Sequence, residues 1–250
     1  KIPPEAVAAP AVELLNSDDP YVRNEAVALL SHGGKAAVAA IREVYPYSTA
    51  DFRKFAMDVL AGADLESSAD LLLAGLRDPL LNIVITAVEV AGRMLRSEHR
   101  EQVEDLLGNT QDPMLTAACV DALAAIGNSR SLSCILARFP DVHRLPGCYL
   151  TPFLNAVSQL GGPPHLPLIY QAAQARGIRI GTTVLHAAQG LLNRHREAGI
   201  TSEFCRYLIQ FFEQRATNSE RYHLLHLIGA CPDTLADDFL ARHLVENSDP

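Results

Sequence analysis

His223 and His226 stand three residues apart in RYHLLHLIG, so a helix through this stretch sets both imidazoles on one face. Zinc takes such a pair when two further nitrogen, sulfur or carboxylate ligands lie nearby. Cys231 is close in sequence but falls across a turn, and no further ligand cluster adjoins it. No metal ligand is assigned, and the two rings read as one half-buried and one solvated histidine. The cysteines are Cys119, Cys134, Cys148, Cys205 and Cys231, an odd number with no CxxC pair. Several sit in apolar helical patterns, which points to buried free thiols in a reducing, cytoplasmic setting. Nucleophile motifs such as GxSxG are missing, and so is a phosphate-binding loop: Gly161-Gly162 runs into prolines and reads as a helix stop. Neither a catalytic residue nor a cofactor is assigned, and the chain is expected not to be an enzyme.

Charge offers a second kind of chemistry. Residues 1–125 carry 10 Lys/Arg against 19 Asp/Glu, a net of −9, whereas residues 126–250 carry 11 against 10, a net of +1. Within 126–200 the basic residues are Arg130, Arg138, Arg144, Arg176, Arg179, Arg194 and Arg196, opposed only by Asp141 and Glu197. Arginine forks hold carboxylates and phosphates at two points, so this stretch is a candidate site for an acidic partner segment. The alternative is a scatter of solvated arginines. In EFCRYLIQFFEQR, Phe204 and Tyr207 with Phe211 and Phe212 make an aromatic stripe that could anchor a partner. The commoner use of such a stripe is core packing against a neighbouring helix.

The elements that must position these groups are helices. Alternation of β-branched residues never persists, and Ala, Leu and Glu dominate windows with helical spacing. No apolar run reaches the roughly 18–20 residues that span a bilayer. The most hydrophobic stretch, PLLNIVITAVEVAG, is shorter and is interrupted by Asn82 and Glu89. In NSDDPYVRNEAVALL, Asp19 is placed to cap a helix and Pro20 to open it. Val22, Ala26, Val27, Leu29 and Leu30 then form one stripe, and His32-Gly33-Gly34 ends it. The same grammar recurs at Asp78 and Asp112, 34 residues apart, with Thr49 or Ser48 replacing the aspartate in a hidden copy between. Weaker copies begin near Pro146, Ile180 and Asn218, and Asp249 opens another. Periods of this size mean stacked helical hairpins, each burying its apolar face on its neighbours.

The pattern Asp-Pro-x-Val-Arg-x-x-Ala-x-x-x-Leu, carried by Asp19, Pro20, Val22, Arg23, Ala26 and Leu30, resembles the HEAT-repeat family. Later copies keep Asp-Pro, the Ala/Leu spacing and a closing glycine (Gly92, Gly127) but lack the arginine. The resemblance implies an all-α fold, a right-handed α-α superhelix of about seven helical hairpins. It implies one domain over residues 1–250, with sub-stacks at about 1–139 and 146–250. The irregular 140–164 stretch joins them, and Pro152 within it is expected to restart a helix. NSDP at 247–250 reads as the start of a further first helix, so a longer native chain is expected. The helix before it, 233–246, is then expected to leave open an apolar face containing several of Leu235, Phe239, Leu240, Leu244 and Val245, which invites self-association.

The resemblance further implies that second helices line a concave, partner-binding side. Arg138, Arg176 and Arg179 fall in or just after second helices, and with Phe204 and Tyr207 they make the candidate partner-binding set. The implied role is a non-catalytic scaffold or adaptor for a protein or peptide with an acidic segment. A regulatory module of a larger signalling or membrane-associated protein is one alternative, and a bilin-lyase-like enzyme is another. HEAT-type di-iron hydroxylases need His-Glu pairs, whereas Glu98-His99 has the reverse order. Nucleic acid is disfavoured by a net charge of −8 and the absence of Trp, which the DNA glycosylases of this type commonly use.

Overall fold

The structure is a computed structural model and describes residues 4–62, 67–176, 181–195, 200–214 and 216–246. The described residues hold helices and no strand. The protein divides into two compact units, Lys1–Gly127 and Asn128–Pro250, a boundary ahead of the expected 140–164 junction.

In the first unit α1 (Pro4–Glu13) precedes α2 (Pro20–Ser31), α3 (Gly34–Val44), α4 (Ala50–Leu60), α5 (Ala69–Leu76), α6 (Leu81–Arg93), α7 (Arg100–Asn109) and α8 (Pro113–Ile126). Three of these helices, α2, α4 and α8, start at a side-chain cap. The Asp19 carboxylate accepts from the Tyr21 N–H at 2.8 Å, the Thr49 hydroxyl from Phe52 at 3.2 Å, and Asp112 from Leu115 at 2.9 Å. Gly34, at φ +56°, makes the left-handed turn between α2 and α3. Helices two apart in the chain pack together: α2 on α4, α4 on α6, α6 on α8. Their buried faces supply the core, with Leu30, Phe52, Met57, Ile83, Val88, Cys119 and Leu123 almost wholly covered.

Two ion pairs tie helices of the first unit together. Arg53 on α4 grips Asp78, which precedes α6, through Nε at 2.7 Å and Nη2 at 3.2 Å. Arg42 on α3 grips Asp70 on α5 in the same two-point manner, at 2.7 and 2.8 Å, but in a more exposed position.

Gly92 does not close α6, as its place in the repeat suggests. It lies inside the helix, where a Cβ would come within 2.8 Å of Ala122 Cα, so it sets the close approach of α6 to α8. The closing residue is Leu95, at φ +53°. Its N–H bonds Gly92 O and that of Arg96 bonds Ala91 O, the pairing of a left-handed helix stop.

The second unit contains α9 (Ser129–Arg138), α10 (Gly147–Leu160), α11 (Leu166–Arg176), α12 (Gly181–Arg194), α13 (Ser202–Gln214), α14 (Asn218–Gly229) and α15 (Thr234–Glu246). Here too alternate helices pack, α10 on α12 and α12 on α14. Pro152 lies inside α10 rather than restarting a helix. The carbonyl that its missing N–H would engage belongs to Cys148 in the exposed first turn, where water can serve it. Phe239 on α15 is fully buried against Phe212, ring centroids 5.2 Å apart, so it is not part of an open face. Residues 247–250 lie outside the described residues.

Candidate functional site: a polar cleft between α11 and α13

Helix α13 carries Glu203, Arg206, Tyr207 and Gln210 at i, i+3, i+4 and i+7, one face of a helix. Across from it α11 presents Tyr170, Ala173 and Gln174, and the seven residues line a cleft of about 630 Å³. The floor is aromatic: the Phe204 and Tyr207 rings stack 6.0 Å apart, with Tyr170 at 5.7 Å from one and 6.4 Å from the other. Exposed polar ends stand around it. Gln174 Nε2 donates to Tyr170 Oη at 2.7 Å, while Glu203, Arg206 and Gln210 face solvent. The Tyr207 hydroxyl is buried and finds no partner among the described residues. Burial pushes its ionisation up to about 12, so it stays a neutral donor.

Phe204 and Tyr207 are therefore not exposed anchors; they retain 1% and 8% of their accessible surface and support the cleft from beneath. Arg138 is half-buried at the end of α9. Arg176 ends α11, but its side chain lies outside the described residues, as does Arg179 altogether. Of the other arginines, Arg144 is highly exposed and pairs with Asp141 at 3.3 Å. Arg194 donates to the backbone oxygens of Ser158 and Gly161, which staples the end of α12 to the end of α10. The cation that the structure brings to the cleft is Arg206, which sequence reasoning passed over. Its spacing from Glu203 and Gln210 marks the same solvent face and would have identified it.

His223 and His226 are both exposed on α14. The nearest ring to His223 across the packing is His186, 6.4 Å away, while Cys231 is buried and directs its thiol toward the Ile200 carbonyl at 3.6 Å. Among the described residues no three His, Cys, Asp or Glu side chains gather to hold a metal ion. Burial also raises the Cys119 and Cys231 thiols to about 12. No helix among the described residues is long and apolar enough to cross a membrane.

Neither the protein-family models nor the curated proteins contain a match to this chain. Among solved structures, the crystal structure of an engineered protein is similar at 17% identity with a TM-score of 0.44, covering 77% of this chain and 98% of the other.

Proposed function

We propose that the chain is a protein-interaction module built of HEAT-like helical hairpins, with the α11–α13 cleft as a binding surface for a peptide segment. The observation that supports this is the lining of that cleft. Aromatic rings locked by packing carry a solvent-facing rim of one guanidinium, one carboxylate and two amides. Such a surface suits peptide recognition: the amides can bond a main chain, Arg206 can take a carboxylate, and the rings give area without loss of side-chain freedom. Its two helices are the second members of their hairpins, the side that a HEAT-like stack turns inward.

Two experiments test the reading. A stack of hairpins has a radius of gyration above the roughly 18 Å of a compact chain of this length. Scattering at the compact value refutes the superhelix. Selection from a random peptide library tests the cleft. Selected peptides should carry an acidic residue, lose affinity on Arg206→Glu, and weaken with added salt. Peptides that bind Arg206→Glu as well as the wild type refute the cleft as the site.

A further inference from the structure

Arg23 and Arg53 hold the same place in consecutive repeats, four residues after the caps Asp19 and Thr49. Both give an Nη1–H to a backbone carbonyl just ahead of their own helix, Arg23 to Ser17 at 2.5 Å and Arg53 to Ser48 at 2.9 Å. Beyond that they differ. Arg53 reaches Asp78, which holds the corresponding place in the sequence pattern ahead of α6 and whose carboxylate binds its fork at two points. For Arg23 the next cap is Thr49, a hydroxyl already bonded to the Phe52 N–H. Arg23 Nε is consequently buried with no acceptor among the described residues, while the guanidinium sits over the Phe55 ring, 5.3 Å from its centroid.

Arg23 also borders a cleft of about 610 Å³ between the starts of α2 and α4. Leu15 and Phe55 line it within; Asp18, Asp51 and the 91% exposed Tyr47 stand around it. A guanidinium N–H held out of water without an acceptor is costly, and its counterpart one repeat later shows which group satisfies it. We infer that this cleft takes a carboxylate from a partner, seated beside Arg23 as Asp78 is seated beside Arg53. The surroundings define the carrier. Asp18 and Asp51 are exposed carboxylates at the same cleft, and residues 1–127 hold 10 Lys/Arg against 19 Asp/Glu. A generally acidic ligand is repelled there, so the partner is a basic segment with a single acidic side chain, and Tyr47 offers it apolar contact. The inference is independent of the α11–α13 cleft.

The test uses two end-capped peptides, Lys-Arg-Glu-Arg-Lys and Lys-Arg-Gln-Arg-Lys, titrated against the full chain. Binding is read by the Nε–H resonance of Arg23. The glutamate peptide should bind about tenfold more tightly than the glutamine peptide and should shift that resonance. Thr49→Asp supplies a carboxylate from within the chain, so the preference for glutamate should vanish in that variant even though the added charge favours basic peptides in general. Arg23→Lys keeps the charge but loses the fork, and should also lose the preference. Equal binding of both peptides by the wild type reduces the effect to attraction by Asp18 and Asp51 and overturns the inference. So does a glutamate preference that survives Thr49→Asp or Arg23→Lys, or failure of both peptides to bind at millimolar concentration.

Discussion

Removing the Asp78 carboxylate tests whether the Arg53 pair ties α4 to the segment that leads into α6. The Asp78 side chain is 4% exposed and that of Arg53 19%, so water replaces little of what either loses. The carboxylate accepts three bonds, two from Arg53 at 2.7 and 3.2 Å and one from the Leu80 N–H at 3.0 Å. The buried Tyr45 phenol borders the pair: its ionisation is pushed up to about 12, by burial first and then by Asp78, with Arg53 opposing. Hydrogen bonds to charged groups contribute about 1.5–3 kcal/mol, and a buried charge stripped of its partner adds a penalty. Asp78→Ala should therefore cost about 2–4 kcal/mol, which is roughly 5–12 °C in Tm for a chain of this size. Arg53→Met should cost at least as much, because it leaves the more deeply buried Asp78 carboxylate with the Leu80 N–H but without its counter-charge, even though methionine keeps volume. The decisive number comes from the double-mutant cycle in urea. A coupling of about 1.5–3 kcal/mol is expected, against about 0.5 kcal/mol for the control pair Lys54–Asp58, whose side chains are 40% and 38% exposed. A coupling as small as the control's would refute the reasoning and class the pair with solvated surface contacts.

Leu95→Gly should raise stability by about 0.5 kcal/mol, since Leu95 is held at φ +53° with 66% of its surface exposed; thermal melting reads the gain. Gly92→Val should cost about 1–3 kcal/mol in urea titration, because its side chain would meet Ala122 backbone. The buried His99 ring is held below its ordinary pKa by burial first, then by Arg96, with Glu98 opposing. A depressed pKa of the folded state means that its contribution is complete above the unfolded value of about 6.5 and is lost as pH falls below it. Stability of the wild type relative to His99→Gln, followed from pH 7.5 down to about 5, should fall accordingly. Phe204→Ala should cost about 3–5 kcal/mol rather than acting on binding alone, because the ring is fully packed; calorimetry distinguishes the two. Of the five thiols only Cys134 and Cys148 should react with an aromatic disulfide in the native protein, since Cys119, Cys205 and Cys231 are buried.

What could be read in advance divides by the range of the interaction. Caps and stops act over three or four residues, so Asp19, Thr49 and Asp112 were visible as helix starts. Gly92 does not take its expected closing part, which falls to Leu95, because the helix–helix approach at Ala122 depends on a residue thirty positions away, and the need for a side-chain-free surface there outweighs the modest cost of a left-handed leucine. The aromatic residues of α13 were recognised, but the stripe alone does not say which side faces solvent. That depends on Tyr170, and once Phe204 and Tyr207 pack beneath it the exposed face passes to Arg206. The difference between the two arginines has the same origin. Arg23 and Arg53 carry the same local signature, and only the residue at the matching place one repeat later, Thr49 for one and Asp78 for the other, decides whether the fork closes. The local spacing around both positions reads as a helix start and so does not distinguish them; a guanidinium reaching 25 residues along the chain does.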